Sequence, residues 1–271
     1  MRITSWNMAR RDACWRELAN SDADIALLQE ATAPPADLAS KVGVETAPWV
    51  TAGSKHRPWR TSIAQLRDTL SIARIATGPL STDSSQWGIS CPGSLAGAIV
   101  HLEDAEPVTV ISAYTTWEDP HESTGSSWIY SDAAAHRLVS DIAALVGRQS
   151  GHRILVAGDF NILHGHGEDG SPYWARRYQT VFDRMEAMGL HFVGPQAPHG
   201  RQADPWPDEL PRTSKNVPTY HSTSQTPATA TRQLDFVFAS RTLLDRVEVV
   251  ARNNSHEWGP SDHCRIDITF A

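Results

Sequence analysis

The chain has 271 residues, of which 40% are apolar and 20% charged, and its formal net charge is −7. This is the composition of a globular protein with a sizeable core, and it excludes a chain that coats nucleic acid through bulk positive charge. No apolar run is long enough to span a bilayer, and Met1 leads straight into "RITSW" without an apolar leader, so neither a membrane partner nor a secretory signal is expected. The three cysteines, Cys14, Cys91 and Cys264, are odd in number and far apart, which argues against disulfides or a CxxC zinc site and suits free thiols in a cytoplasmic setting.

Short β-like runs recur along the chain, bounded by Gly, Pro, Ser, Asp or Asn. In order they are 2–6 (RITSW), 24–29 (DIALLQ), 70–76 (LSIARIA), 96–102 (AGAIVHL), 108–114 (VTVISAY), 153–158 (RILVAG), 233–239 (QLDFVFA), 246–251 (RVEVVA) and 265–270 (RIDITF). Several are apolar throughout, as strands covered on both faces are. Helical patterns are fewer: 12–21, 131–147 and 173–189. In the second of these, Ala135, Leu138, Val139, Ile142 and Leu145 fall on one face, with Ser131 as a candidate N-cap. Buried strands with interspersed helices predict packed sheets with helices outside, in one domain. Residues 195–231, rich in Pro, Ser, Thr and Asn, have no sustained period and read as a long loop of the kind that often carries function.

Polar residues stand where these strands end. Asn7 follows "RITSW", Glu30 follows "DIALLQ", and Asp159 and Asn161 follow "RILVAG". Asp235 lies inside an apolar strand, where an unpaired carboxylate is costly. Asp262 and His263 sit between the turn Gly259-Pro260-Ser261 and the last strand. Carboxylate and amide oxygens suit a hard cation such as Mg²⁺ or Mn²⁺. A histidine backed by a carboxylate suits proton transfer or charge stabilisation at neutral pH.

The ordered set "SWN", "LLQE", "AGDFN", "RQLDFVFAS" and "GPSDHCRI" resembles the endonuclease/exonuclease/phosphatase superfamily, and the likeness runs from Asn7 to His263. The resemblance implies an α/β fold, a four-layer αββα sandwich of two mainly antiparallel mixed sheets with helices outside. It also implies cleavage of phosphoester bonds with Mg²⁺ or Mn²⁺. By the same resemblance Glu30 matches the main metal ligand, with Asn7 beside it and Asp262 near a metal. Asp159 matches the residue that orients or deprotonates water, and Asn161 a phosphate contact. His263 matches the histidine that stabilises the phosphate, and Asp235 the residue that orients it. Tyr114 matches a site tyrosine, although Thr116 stands where the family often has proline.

The substrate is less legible. Lys55, Arg57, Arg60, Arg67 and Arg74, with Trp49 and Trp59 nearby, would suit a groove tracking a nucleic-acid backbone, or only a solvated positive face. Arg176 and Arg177 add charge after the "GDFN" motif, and Trp6, Trp117 and Trp258 flank polar motifs where an aromatic wall would matter. His164, His166, Glu168 and Asp169 read as a hydrated Gly-rich loop rather than a second metal site. The expectation is a nuclease acting on DNA, with no obligate protein partner; the alternative is a phosphatase or phosphodiesterase of a small metabolite or lipid headgroup. No P-loop, GxSxG elbow or GxGxxG fingerprint competes.

Overall fold

The structure, a computed structural model, describes residues 1–53, 57–81, 83, 85–102, 105–126, 131–147, 151–163, 171–197 and 200–270. Lys55 and the run from His164 to Asp169 lie outside the described residues. The first elements are β1 (Arg2–Asn7), α1 (Asp12–Ala19), β2 (Ile25–Ala31), β3 (Arg60–Gln65), β4 (Ser71–Ile75), β5 (Thr77–Pro79), β6 (Trp87–Ile89), β7 (Leu95–Leu102) and β8 (Ala105–Tyr114). They are followed by α2 (Ser131–Val146), β9 (Ile154–Asp159), α3 (Pro172–Ala187), β10 (Leu190–Gly194), β11 (Asp235–Ser240), β12 (Val247–Ala251) and β13 (Ile266–Phe270).

Two sheets face each other. One has the order β12-β13-β1-β2-β3 and the other β10-β11-β9-β8-β7-β4, with β5 and β6 as a small separate pair. Within the two sheets β1–β2 and β8–β9 are parallel, and the remaining neighbours are antiparallel. Each parallel pair is joined through a helix, α1 in one case and α2 in the other, because a parallel connection must cross back over the sheet.

The side-chain period of a strand assigns the layers. Ile3, Ile25, Leu27 and Ile63 from one sheet meet Ala98, Val110, Leu155, Ala157 and Val237 from the other in the central layer. The alternate residues Trp6, Ala26 and Leu28 turn outward onto Cys14, Trp15 and Leu18 of α1. Ile111, Val156, Phe236 and Phe238 turn outward onto Leu138 and Ile142 of α2 and Phe182 and Met185 of α3. The result is the expected four-layer αββα sandwich. Among the described residues no helix is long and apolar enough to cross a membrane.

Four strands escape the sequence reading. β10 and the β5–β6 pair are short, and β3 hides inside the Arg-rich stretch. That stretch is therefore not one groove. Arg60 is buried on β3, donates Nε to the Thr61 carbonyl and pairs with Glu45. Arg67 donates Nη2 to the Ser21 carbonyl at 2.8 Å, and Arg74, on β4 in the opposite sheet, donates to the Gly43 and Ile63 carbonyls. Trp59 is buried against Tyr114, and Trp49 packs edge-on against Trp15. The side chains alternate between faces and layers, so charges contiguous in sequence are dispersed in space. Among the described residues of the stretch, only Arg57 opens onto a cleft near the candidate site, one that it shares with Trp117.

Candidate active site

The two parallel pairs run toward the same edge of the sandwich, and their C-terminal ends carry the polar residues. β1 ends at Asn7, β2 delivers Glu30, β8 ends at Tyr114 and β9 ends at Asp159. A buried polar bridge registers the sheets just behind: Gln29 Nε2 donates to Ser112 Oγ, which donates to the Leu28 carbonyl, both at 2.9 Å. Gly158, at φ 155°, lets β9 press against β8, since a Cβ there would be driven into the Ala113 carbonyl oxygen.

Asp235 and Asp159 are directly paired across β11 and β9, so their side chains share a face. Asp235 Oδ2 accepts from His263 Nδ1 at 2.8 Å, and His263 Nε2 lies 3.9 Å from Asp159 Oδ2. All three are buried. Trp6 Nε1 donates to the His263 carbonyl at 2.9 Å and Ser261 Oγ accepts from its backbone N–H at 3.1 Å, so the imidazole stands on a fixed backbone. Asp159 Oδ1 accepts the Asn161 N–H at 2.9 Å, and Oδ2 accepts Nδ2 of Asn7 and of Asn161 at 3.0 and 3.2 Å.

These contacts set the protonation states. Burial pushes the Asp159 carboxyl up; the His263 charge opposes this, Asp235 adds repulsion, and the balance falls at about 7. Burial alone would depress His263, but the charges of Asp235, Asp159 and Asp262 outweigh it and raise the imidazole to about 10. The buried imidazole is thus held as a cation at neutral pH, next to a carboxyl poised to take or give a proton.

Glu30 is re-aimed by an irregularity in its strand. The β2–β3 register shifts between Leu28 and Ala31, and Glu30 adopts φ 46°, in the left-handed region. Its Oε1 accepts from the Tyr114 hydroxyl at 3.0 Å and its Oε2 lies 3.5 Å from Arg10 Nε. Burial, and then the charges of Glu30 and Asp159, push the Tyr114 phenol well above its ordinary range, so it serves as a hydrogen-bond donor. Ala9, Arg10 and Asn161 also lie in the left-handed region, at φ 47°, 62° and 49°. Such strain in residues other than glycine persists only where the surroundings impose it, and it is concentrated at this edge.

A cavity of about 360 Å³ opens here, lined on its polar side by Glu30, Tyr114, Asp159, Asn161, Asp262 and His263. Its other walls bring in Arg10, Trp117, Tyr178, Tyr220, Arg232 and Leu234. Asn7 and Asp235 stand behind the lining. Asn7 is buried, and its amide nitrogen is engaged by Asp159 while its oxygen accepts the Ala9 N–H at 3.0 Å, so it holds Asp159 rather than facing the cavity. Of the three flanking tryptophans, Trp6 and Trp258 are buried in the core, and Trp117 is 51% exposed at the cavity rim. Arg177 is paired with Asp132, its guanidinium 5.5 Å from the centre of the Trp174 ring.

The donor set suits a hard divalent cation. Glu30 and Asp262 both line the cavity, and Glu30 Oε2 lies 3.5 Å from Arg10 Nε. Among the described residues no three His, Cys, Asp or Glu side chains converge closely enough to hold a metal on their own. One or two carboxylates completed by water and a substrate phosphate is the way Mg²⁺ is usually bound.

A family model for the Endonuclease/Exonuclease/phosphatase family matches residues 4–263. The chain belongs to this family. Membership carries the family's general chemistry, hydrolysis of phosphoester bonds with a divalent metal. Solved structures of the same fold include the endonuclease domain of TRAS1, a telomere-specific non-LTR retrotransposon, at 16% identity and TM-score 0.62, covering 99% of this chain and 97% of that one. The AP endonuclease LMAP from Leishmania major follows at 12% identity and TM-score 0.66, with 99% and 87% coverage. The 3′–5′ exonuclease NExo from Neisseria meningitidis has 16% identity and TM-score 0.59, with 100% and 99% coverage. At these identities the likeness to solved structures is one of fold. No curated protein matches the chain significantly.

Sequence reasoning missed Arg10, Tyr178, Tyr220, Arg232 and Leu234. Leu234 and Arg232 lie one and three residues before Asp235, a proximity that was available in the sequence. Nothing in the sequence marked Tyr220, which comes from the long loop.

Proposed function

We propose that the protein is a divalent-metal-dependent phosphodiesterase, a nuclease that hydrolyses DNA phosphodiester bonds by in-line attack of water. The observation that carries this reading is the Asp235–His263–Asp159 array at the floor of a cavity whose rim holds Glu30, Asn161 and Asp262. In this reading Glu30 and Asp262 would hold the metal, which would supply positive charge to the phosphate oxygens. Asp159, raised to about 7 by burial and its neighbours, orients the attacking water and takes its proton as the new P–O bond forms. The imidazolium of His263, fixed by Asp235, and the Asn161 amide stabilise the charge that builds on the phosphate. The leaving oxygen departs in line and takes a proton from solvent.

DNA as substrate is supported by the aromatic side chains Trp117, 51% exposed, and Tyr178 in the cavity wall, residue types on which bases stack. The structural neighbours described above are nucleases by name. A second reading, a small phosphorylated metabolite or lipid headgroup, is favoured by the dispersal of Arg60, Arg67 and Arg74, which among the described residues of that stretch leaves no long cationic track. Both readings are tested by incubating plasmid, single-stranded and duplex oligonucleotides, and a panel of small phosphoesters with the protein in Mg²⁺ or Mn²⁺. Cleavage of oligonucleotides that EDTA abolishes supports the nuclease; turnover confined to the small esters would move the assignment to the second reading.

A further inference from the structure

The cavity carries a cation that the chemistry above does not use. Arg232 lines it and is exposed, and among the described residues its guanidinium meets no carboxylate and no hydrogen-bond acceptor. Its backbone, by contrast, is pinned. The Arg232 carbonyl accepts the N–H of Thr219 at 2.8 Å and of Tyr220 at 3.1 Å. The next residue, Gln233, is buried and accepts the Val217 N–H at 2.9 Å, and Leu234 N donates to Thr219 Oγ1 at 3.0 Å. A free guanidinium on an immobile backbone contributes little to folding and is well placed for a ligand.

Its position relative to the reacting centre follows from strand geometry. Tyr220 forms isolated bridges with both Arg232 and His263, so the three stand side by side as in a ladder. Two strand spacings put the Arg232 backbone roughly 10 Å from that of His263. The Tyr220 ring lies between them, its centroid 4.9 Å from that of the imidazole. To reach a phosphate seated on His263, Arg232 would have to pass this ring; an anion one unit further along a strand lies on its own side.

We propose that Arg232 binds the phosphate adjacent to the scissile one, so that the site selects a polynucleotide strand over an isolated phosphoester. The inference rests on the phosphodiesterase reading and deepens it, since it names a second anion-binding subsite. The guanidinium fork matches two phosphate oxygens at once, and the partner it would meet is available only in a substrate with successive phosphates.

The test is a trithymidylate with two diesters, compared with forms in which one or the other is an uncharged methylphosphonate. In the parent protein, neutralising the flanking position on one side should lower kcat/KM at the remaining diester by about tenfold or more, as expected for loss of a charged hydrogen-bonded pair. In Arg232→Ala this penalty should collapse toward one, and Arg232→Lys should restore part of it, because lysine keeps the charge without the fork. Fluorescence anisotropy of a labelled trinucleotide on the metal-free protein should show the same loss of discrimination without any turnover. Equal handling of the charged and neutral flanks by the parent, or an undiminished penalty in Arg232→Ala, overturns the inference and leaves the phosphodiesterase reading standing. Failure of the parent to cleave any of the diesters would remove that reading, and the inference with it.

Discussion

Asp235 and His263 meet across the sandwich: the aspartate opens β11 of the six-stranded sheet, and the histidine precedes β13 of the five-stranded sheet, yet their side chains are 2.8 Å apart. The central core and the segment 219–220 set this distance: the sheets pack through their apolar inner faces, and Thr219 ties the two partners together, its Oγ1 accepting the Asp235 N–H at 3.2 Å and its carbonyl the Cys264 N–H at 2.9 Å. Each partner also resolves a cost for the other. A buried carboxylate without a donor is unfavourable, and a buried imidazolium without a counter-charge more so. The pair is therefore a single unit.

Its unity has a kinetic consequence. His263→Ala and Asp235→Ala should each lower kcat by orders of magnitude, whereas the double variant should lose far less than the product of the two. Steady-state kinetics on one oligonucleotide checks this. Independent, multiplicative losses would show that the two side chains act separately.

Metal binding should be visible without turnover. A cation that binds the folded chain and not the unfolded one raises Tm in proportion to the logarithm of its concentration. Mn²⁺ titrated into the parent protein should raise Tm, and Glu30→Gln should flatten that response while the metal-free Tm stays within a few degrees. An unchanged Mn²⁺ response in Glu30→Gln would remove Glu30 from the site.

The layers were legible because burial on both faces leaves apolar strands, and the site because polar residues at strand ends have few other reasons to be there. Asp159 and Asn161 are close in sequence, and the motif order aligned the rest. What the sequence hid is geometry at bulges and loops. The left-handed turn that re-aims Glu30, and the bridges that bring Tyr220 beside His263, have no period. The Arg-rich stretch misled for a related reason: a run of charges states sign but not direction. Arg60 is one consequence to test. It is buried with Glu45, so Arg60→Ala should destabilise the fold by about 1–3 kcal/mol by leaving a polar partner unmet. Chemical denaturation reads this directly; a raised KM with unchanged stability would restore Arg60 to a binding role.

Glu257 gives a pH dependence remote from the cavity. Its Oε2 pairs with Arg201 Nη2 at 2.7 Å and its Oε1 with Arg252 Nη1 at 3.4 Å, while Arg252 Nε also holds Asp267 at 2.6 Å. Partial burial raises the carboxyl, but the two arginines outweigh it and hold Glu257 below the ordinary carboxylate range. A depressed pKa in the folded state means that the unfolded chain binds more protons in acid. The stabilisation is therefore present above the ordinary carboxylate range and disappears as pH falls through the depressed value. Arg201 belongs to the long loop and also donates to Asn254 Oδ1 at 3.1 Å, so Glu257 helps fasten that loop to the segment before β13. Melting curves should show Glu257→Gln below the parent at neutral pH, with the gap closing in acid. A gap independent of pH would exclude the ionised carboxylate as its source.

If the protein is a nuclease, Trp117 should decide how substrate is held. The indole is 51% exposed, but the residues around it are fixed. Thr115 N donates to the Asp159 carbonyl at 2.9 Å, Arg137 Nη2 donates to Thr116 Oγ1 at 2.9 Å, and Arg137 Nη1 pairs with Glu118 at 2.7 Å. An exposed indole on a pinned segment loses little conformational entropy when a base stacks on it, and such stacking is worth about 1–3 kcal/mol per base. With Arg60, Arg67 and Arg74 engaged elsewhere, few phosphate contacts remain, so binding should have a shallow salt dependence for a nuclease. Trp117→Ala should therefore raise KM for a single-stranded oligonucleotide by about tenfold, with a much smaller change in kcat and almost none in the salt slope. Binding should also quench the tryptophan fluorescence of the parent more than that of the variant. A steep salt slope with KM untouched in Trp117→Ala would mean that charge, and not the indole, holds the strand.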